Sequence, residues 1–176
     1  MRLGMAVLRV VVGVLLMGHG LQKLAGWFGG HGLEGTGHFF DTIGLRPGRA
    51  QAALAGGAEA GGGALLALGL LTPVGAAMVT GSMAGAIAKV HASKGPWVSN
   101  GGYEYNLVIM SAVFAIAAAG PGAWSLDEQL GIARSGAAVG LAELGAGLAG
   151  AAAAVTLGSR LGEVPGPEAE NGGEPA

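Results

Sequence analysis

Residues 3–21 read LGMAVLRVVVGVLLMGHGL, an apolar and small-residue run interrupted by a single charge, Arg9. Its length is close to the ~20 residues that a helix needs to cross the hydrocarbon core of a bilayer. Four similar runs follow, at residues 50–71, 74–91, 105–119 and 137–157. The fourth is near the lower limit for a span, and the fifth is rich in Ala and Gly. The first run carries Arg9 and is followed by His19, Gln22 and Lys23 rather than a small-residue cleavage pattern, so it reads as a retained span and not a signal peptide.

Composition agrees. Of the 176 residues, 51% are hydrophobic and only 11% are charged, with a mean hydropathy of +0.55. Soluble domains carry about 25% charged residues, so this chain lacks the polar surface to coat a water-facing globule. The 37 glycines would make poor helices in water, but in lipid small residues let helices approach closely. Pairs four apart, Gly57 and Gly61, Gly81 and Gly85, Gly136 and Gly140, are candidate contact faces. The net charge of −2 and the lack of a basic run exclude a nucleic-acid partner. With no cysteine, the chain has no disulfide, thiol nucleophile, iron–sulfur ligand or Cys-based zinc site.

The expected fold is therefore all-α, a multi-pass transmembrane helix bundle whose environment is the lipid bilayer of a bacterial-type cell membrane. Thr72-Pro73 marks a tight turn with a new helix starting near Pro73, and Gly120-Pro121-Gly122 ends the fourth run. Ser125, with Glu128 three residues later, has the form of a capping box. Residues 27–49 predict a loop and a short interfacial helix around residues 37–43, with Trp27 and Phe28 at headgroup level. From Val164 the chain is Pro/Gly/Glu-rich and reads as a disordered tail.

Charges carried into lipid need a partner or a cavity. By helix rise, Arg9 lies about 9 Å in from the N-terminal side and Glu59 about 13 Å in from the opposite side, within reach across a ~30 Å core. Glu143, about 9 Å in, is level with Arg9 and a rival partner. Such a pair is either structural or part of a proton or ligand site. Connectivity collects the other polar groups at the face bearing the loop 22–49: His19, Gln22, Lys23, Lys89, His91, Lys94, Tyr103, Glu104, Tyr105 and Asn106. The opposite face offers Arg2, Thr72, Ser125, Asp127, Glu128, Gln129 and Arg134 on ordinary turns, so the loop face is the expected functional mouth. Histidines near one depth suit proton transfer or ligation; His31 and His38 fall in the loop and read as solvated. The balance of Lys and Arg places the loop face in the cytoplasm.

Several stretches resemble the DoxX family in order: Leu8-Arg9 with Gly13 and His19-Gly20-Leu21-Gln22-Lys23-Leu24; Glu59 with Gly62-Gly63, Leu66, Gly69 and Thr72; His91, Lys94-Gly95 and Gly101-Gly102-Tyr103-Glu104-Tyr105-Asn106; and Gly120-Pro121-Gly122 with Ser125-Leu126-Asp127. The resemblance covers residues 9–127. It implies a four-helix membrane core (residues 1–130), to which residues 131–160 add a fifth helix before the tail at 161–176, and it favours Glu59 over Glu143 as the partner of Arg9. It also implies association with quinol and thiosulfate:quinone redox assemblies and with redox homeostasis.

Two functions follow as expectations. One is a redox-associated, quinone-linked subunit that binds a lipophilic small molecule near one membrane face. Glu59, His19 and His91 would be the proton-handling candidates. Arg9, Lys23, Lys89, Tyr103, Glu104 and Tyr105 would complete the ligand-binding set, with the two lysines stabilising anionic intermediates. The sequence names no cofactor: quinone is one candidate, haem ligation is disfavoured and no metal site is expected. No flavin motif is visible, so electrons would come from a redox partner protein or soluble donor. The other expectation is a non-enzymatic scaffold or assembly subunit, or a carrier for a small solute.

Overall fold

The computed structural model of the chain describes residues 2–162; of the expected tail, residues 161 and 162 belong to the last helix and the rest lies outside the described residues. Helices α1 (Arg2–Ala25), α2 (Gly32–Thr42), α3 (Gly48–Leu68), α4 (Thr72–Ala86), α5 (Glu104–Ala119), α6 (Leu126–Gln129) and α7 (Ala137–Gly162) follow in order, with no strand among the described residues. Beyond Ala86, α4 continues through a π turn, Ile87–His91, and a 3-10 turn, Ala92–Lys94. Leu3–Ala25, Thr72–Lys94 and Ala137–Gly162 are long and apolar enough to cross a membrane. α5 is shorter, and α3 is diluted by glycine and by Arg49 and Glu59.

Burial has the polarity of a membrane protein. α1 leaves Leu3, Val7, Val11 and Val14 exposed, a stripe at helical spacing, while Arg9 on the same helix is only 2% exposed. Water would disfavour that arrangement and lipid favours it. The chain is an integral membrane protein with an all-α bundle. Its dry core, from Leu16, Leu66, Val79, Met83, Val113 and Ile116, lies where α1, α3, α4 and α5 meet.

α1 packs most extensively on α3, and α7 on α4. Without a hydrophobic drive between helices in lipid, close van der Waals contact has to hold them. Along α1 and α3 that contact is backbone to backbone. A Cβ at Gly13 would lie 2.5 Å from the Gly63 carbonyl oxygen, and one at Gly20 would lie 2.5 Å from the Gly56 carbonyl oxygen. Each helix therefore presents two glycines seven residues apart, a spacing that returns to the same face after two turns. The pairs four apart behave differently. Gly61, Gly81 and Gly140 meet neighbours, whereas Gly57, Gly85 and Gly136 face open space.

The turn between α3 and α4 explains Arg9. Gly69 ends α3 in the left-handed conformation, φ 64°, and a Cβ there would collide with the Arg9 guanidinium and Ser125. The last carbonyls of a helix lack intrahelical partners. Arg9 Nη1 donates to the carbonyls of Leu66 (2.8 Å) and Ala67 (2.6 Å), and Nη2 donates to that of Trp124 (2.8 Å). The first N–H groups of a helix are equally orphaned. Asp127, itself 2% exposed, accepts from the N–H of Leu71 (2.6 Å) and of Thr72 (2.9 Å) and so holds Leu71 in its left-handed conformation, φ 46°. A cation thus closes the negative end of α3, and an anion closes the positive end of α4.

The expected Arg9–Glu59 pair is therefore absent, and so is the Arg9–Glu143 pair. Helix ends supply oxygen to a buried guanidinium as well as a carboxylate does, and depth arithmetic cannot tell them apart. Asp127 is no ordinary turn residue, as its burial shows. α6 is capped as expected at its first residue, with the Glu128 N–H donating to Ser125 Oγ (3.2 Å). α2 is longer than the expected interfacial helix and begins at Gly32. It is tied to α3 by Asp41 Oδ1, which accepts from the Gly48 N–H (2.8 Å).

Two predictions follow from these contacts. Gly63→Leu should lower the melting temperature in detergent by the equivalent of about 1–3 kcal/mol or more, the range for overpacking, while Gly57→Leu on the same helix should change it little. Asp127→Asn should destabilise by roughly 1–3 kcal/mol, the range for hydrogen bonds to charged groups, and Arg9→Lys should destabilise at least as much because an ammonium cannot span three carbonyls. Thermal unfolding of the purified variants checks both.

Candidate functional site

A cavity of about 610 Å³ opens at the loop face, walled by α1, α3, α4, α5 and α7 and covered in part by α2. Its walls are mostly aliphatic: Leu16, Leu54, Val74, Met78 and Ile109 on four helices, and the small residues Ala146, Gly147, Gly150 and Ala154 on α7. α7 comes this close because Gly81 of α4 lies against the backbone of Gly147. Phe39 and Phe40 of α2 and Ile43 form the cover. Large apolar pockets with a few convergent polar groups are where proteins hold small molecules.

Polar groups on the walls come from α1, α3, α4 with its continuation, and α5, and none comes from α7. Glu59 of α3 is at the centre of them. Its Oε2 accepts from Lys23 Nζ at 2.5 Å, and its Oε1 accepts from Ser82 Oγ at 2.8 Å. The carboxylate is almost wholly enclosed, with 4% side-chain exposure, whereas Lys23 retains 27%. Lys23 lies near the end of α1, and the Gly20–Gly56 contact brings that end against the α3 turn that carries Glu59. A buried carboxylate in lipid is stabilised by a cation and by a further donor, and Glu59 has both.

His19, Lys89, His91, Tyr105 and Asn106 also line the cavity. His91 Nδ1 lies 2.6 Å from the Gly101 carbonyl oxygen. A carbonyl can only accept, so Nδ1 carries the proton and Nε2 of the neutral ring is left as an acceptor. Lys89, Val90 and His91 all line the cavity. They fall in the π turn at Ile87–His91, where the Ala92 N–H bonds to the Ile87 carbonyl.

The structure thus gathers six of the expected site residues, His19, Lys23, Glu59, Lys89, His91 and Tyr105, and leaves three elsewhere. Arg9 is at the far end of the bundle, engaged with helix carbonyls. Glu104 folds back on its own loop and accepts from the Val98 N–H (3.0 Å). Tyr103 precedes α5 and does not line the cavity. Glu143 is buried between α7 and α4, where Oε2 accepts from Thr80 Oγ1 (3.2 Å) and Oε1 has no protein partner. Ser82, Gln51 and the α7 wall were not singled out from sequence. A serine inside an apolar run carries no signal until the carboxylate it serves is located. Among the described residues no three His, Asp or Glu side chains cluster as a metal site would.

The comparisons with known proteins agree with this architecture. No solved structure matches the chain. A protein of Bacillus subtilis (strain 168) named "Putative oxidoreductase CatD" is 33% identical over 114 residues, covering 65% of this chain and 78% of its own length. The DoxX family model matches residues 4–92, which carry α1 to α4, the Lys23–Glu59 pair and the π turn. This chain belongs to the DoxX family.

Proposed function

We propose that the protein is a redox-associated membrane subunit that binds a quinone-like molecule in the cavity at its loop face. One observation carries this reading: a largely apolar cavity of about 610 Å³ whose polar groups include the proton carriers Glu59, His19, His91 and Tyr105. A quinone ring and tail partition into such walls, and its two oxygens need hydrogen bonds and, on reduction, protons. His91, with Nδ1 committed to the Gly101 carbonyl, offers Nε2 as the site that takes up a proton from the mouth and passes it to a quinone oxygen on reduction. Tyr105 offers a hydroxyl to the opposite oxygen. Glu59, held by Lys23 and Ser82, relays protons between the cavity and the mouth.

Conversion of a quinone to a quinol consumes two electrons and two protons. The protons pass through these side chains, and the electrons come from a partner subunit or a soluble donor. The name of the Bacillus subtilis relative, an oxidoreductase, supports the same direction.

A short-chain ubiquinone or menaquinone analogue should raise the melting temperature of the detergent-purified protein. At 100 times its dissociation constant the gain should approach about 2.7 kcal/mol. His91→Ala should reduce that gain while leaving the unliganded protein folded. No shift with either quinone class at saturating concentration would contradict the proposal.

A further inference from the structure

The two lysines of the cavity differ in a way that bears on what the cavity holds. Lys23 is neutralised by Glu59. Among the described residues the remaining ion pair joins Arg49 and Glu34, both exposed and outside the cavity. Lys89 has no carboxylate within ion-pair distance among the described residues, and Nζ reaches the Ser159 hydroxyl at 3.3 Å. Among the described residues, Lys89 is therefore the lysine on the cavity wall that no carboxylate faces.

The backbone supplies a second, independent observation. Lys89 is in the middle of the π turn, the one stretch of α4's course that abandons regular α-helical bonding before its last turn. Such turns sacrifice hydrogen-bond geometry and recur where side chains must be presented to a ligand. Here the turn carries Lys89 and His91, and both line the cavity. A half-buried ammonium against aliphatic walls is poorly hydrated, and an anion that brings its own apolar body into the cavity would compensate it.

Resting on the reading of the cavity as a binding site, we infer that its ligand is an amphiphile whose head is a single anionic oxygen group, held at Lys89, and whose apolar body lies along α3, α4 and α7. A hydroxyquinone enolate and a lipid carboxylate share this chemistry. The redox reading favours the first. The inference separates the lysines: Lys23 belongs to the protein's own carboxylate, and Lys89 selects the ligand's charge.

Matched ligand pairs test it on the intact protein in non-ionic detergent by titration calorimetry at pH 8. One pair is a 2-hydroxy-3-alkyl-1,4-naphthoquinone, an anion at that pH, and its neutral 2-methoxy ether. The other is a C16 fatty acid and the corresponding alcohol. Each is titrated into the wild type and Lys89→Met, which keeps the aliphatic stem and removes the charge, so that micelle partitioning cancels in the comparison. The expected result is at least a tenfold preference for the hydroxynaphthoquinone over its ether, lost in Lys89→Met, with the affinity for the ether unchanged. A preference confined to the fatty-acid pair and lost in Lys89→Met would uphold the anionic head and assign it to a lipid carboxylate, against the quinone reading. Binding of the neutral members with no anion preference, or a preference that survives Lys89→Met, would overturn the inference and leave the cavity's role standing. No binding of any of the four would overturn both. If Lys89→Met does not fold, Lys89→Gln and Ser159→Ala replace it. A preference unchanged in both would then count against Lys89.

Discussion

The backbone contact between α1 and α3 is the constraint on which the other features depend. Gly13 and Gly20 on one helix, and Gly56 and Gly63 on the other, let the two backbones touch and leave a single register in which they can do so. α1 carries a cation on either side of this seam. In that register Arg9 meets the last carbonyls of α3, and Lys23 meets Glu59. Lipid offers neither charge a substitute for water, so a slip of one residue would strand both. Dispersion holds the helices together, and the two polar contacts make any other register unfavourable.

The same seam divides the molecule into a locked end and an open end. At the locked end Arg9 and Asp127 satisfy helix termini, and the segment after α5 closes over the turn between α3 and α4. At the open end the helices diverge around a cavity, α2 covers part of it, and the regular course of α4 gives way to a π turn. Rigidity at one end and a polar-lined space at the other suit a site that must admit a molecule from the membrane and hold its head group in a fixed field. α7 belongs to this arrangement. Its small residues form a wall of the cavity, although the family model ends at residue 92, before α7 begins.

Much of this was legible in the sequence. Hydrophobic runs mark the bundle, Thr72-Pro73 marks the turn into α4, and chain connectivity alone places His19, Lys23, Lys89, His91 and Tyr105 at one face. Partner choice was not legible. A buried arginine can be satisfied by a carboxylate or by carbonyl oxygens, and every helix end supplies the latter without a sequence signature. Asp127 looks like a residue of a polar turn because its partners are N–H groups, which every residue but proline possesses. The glycine seam was hidden by abundance, since among 37 glycines the seven-residue pairs do not stand out until two helices are laid together. The π turn likewise follows no composition rule.

The claim that one register seats the buried charges is tested most directly by exchanging the charges of the Lys23–Glu59 pair. Lys23→Glu and Glu59→Lys, made singly, should each destabilise the detergent-purified protein by roughly 3–5 kcal/mol, because each places like charges together in a poorly solvated site. The double exchange should recover more than half of the summed loss, since α1 and α3 still bring the two positions together. Losses that simply add in the double variant would mean that the two side chains do not meet, and would contradict the register on which this account of the fold and its cavity rests.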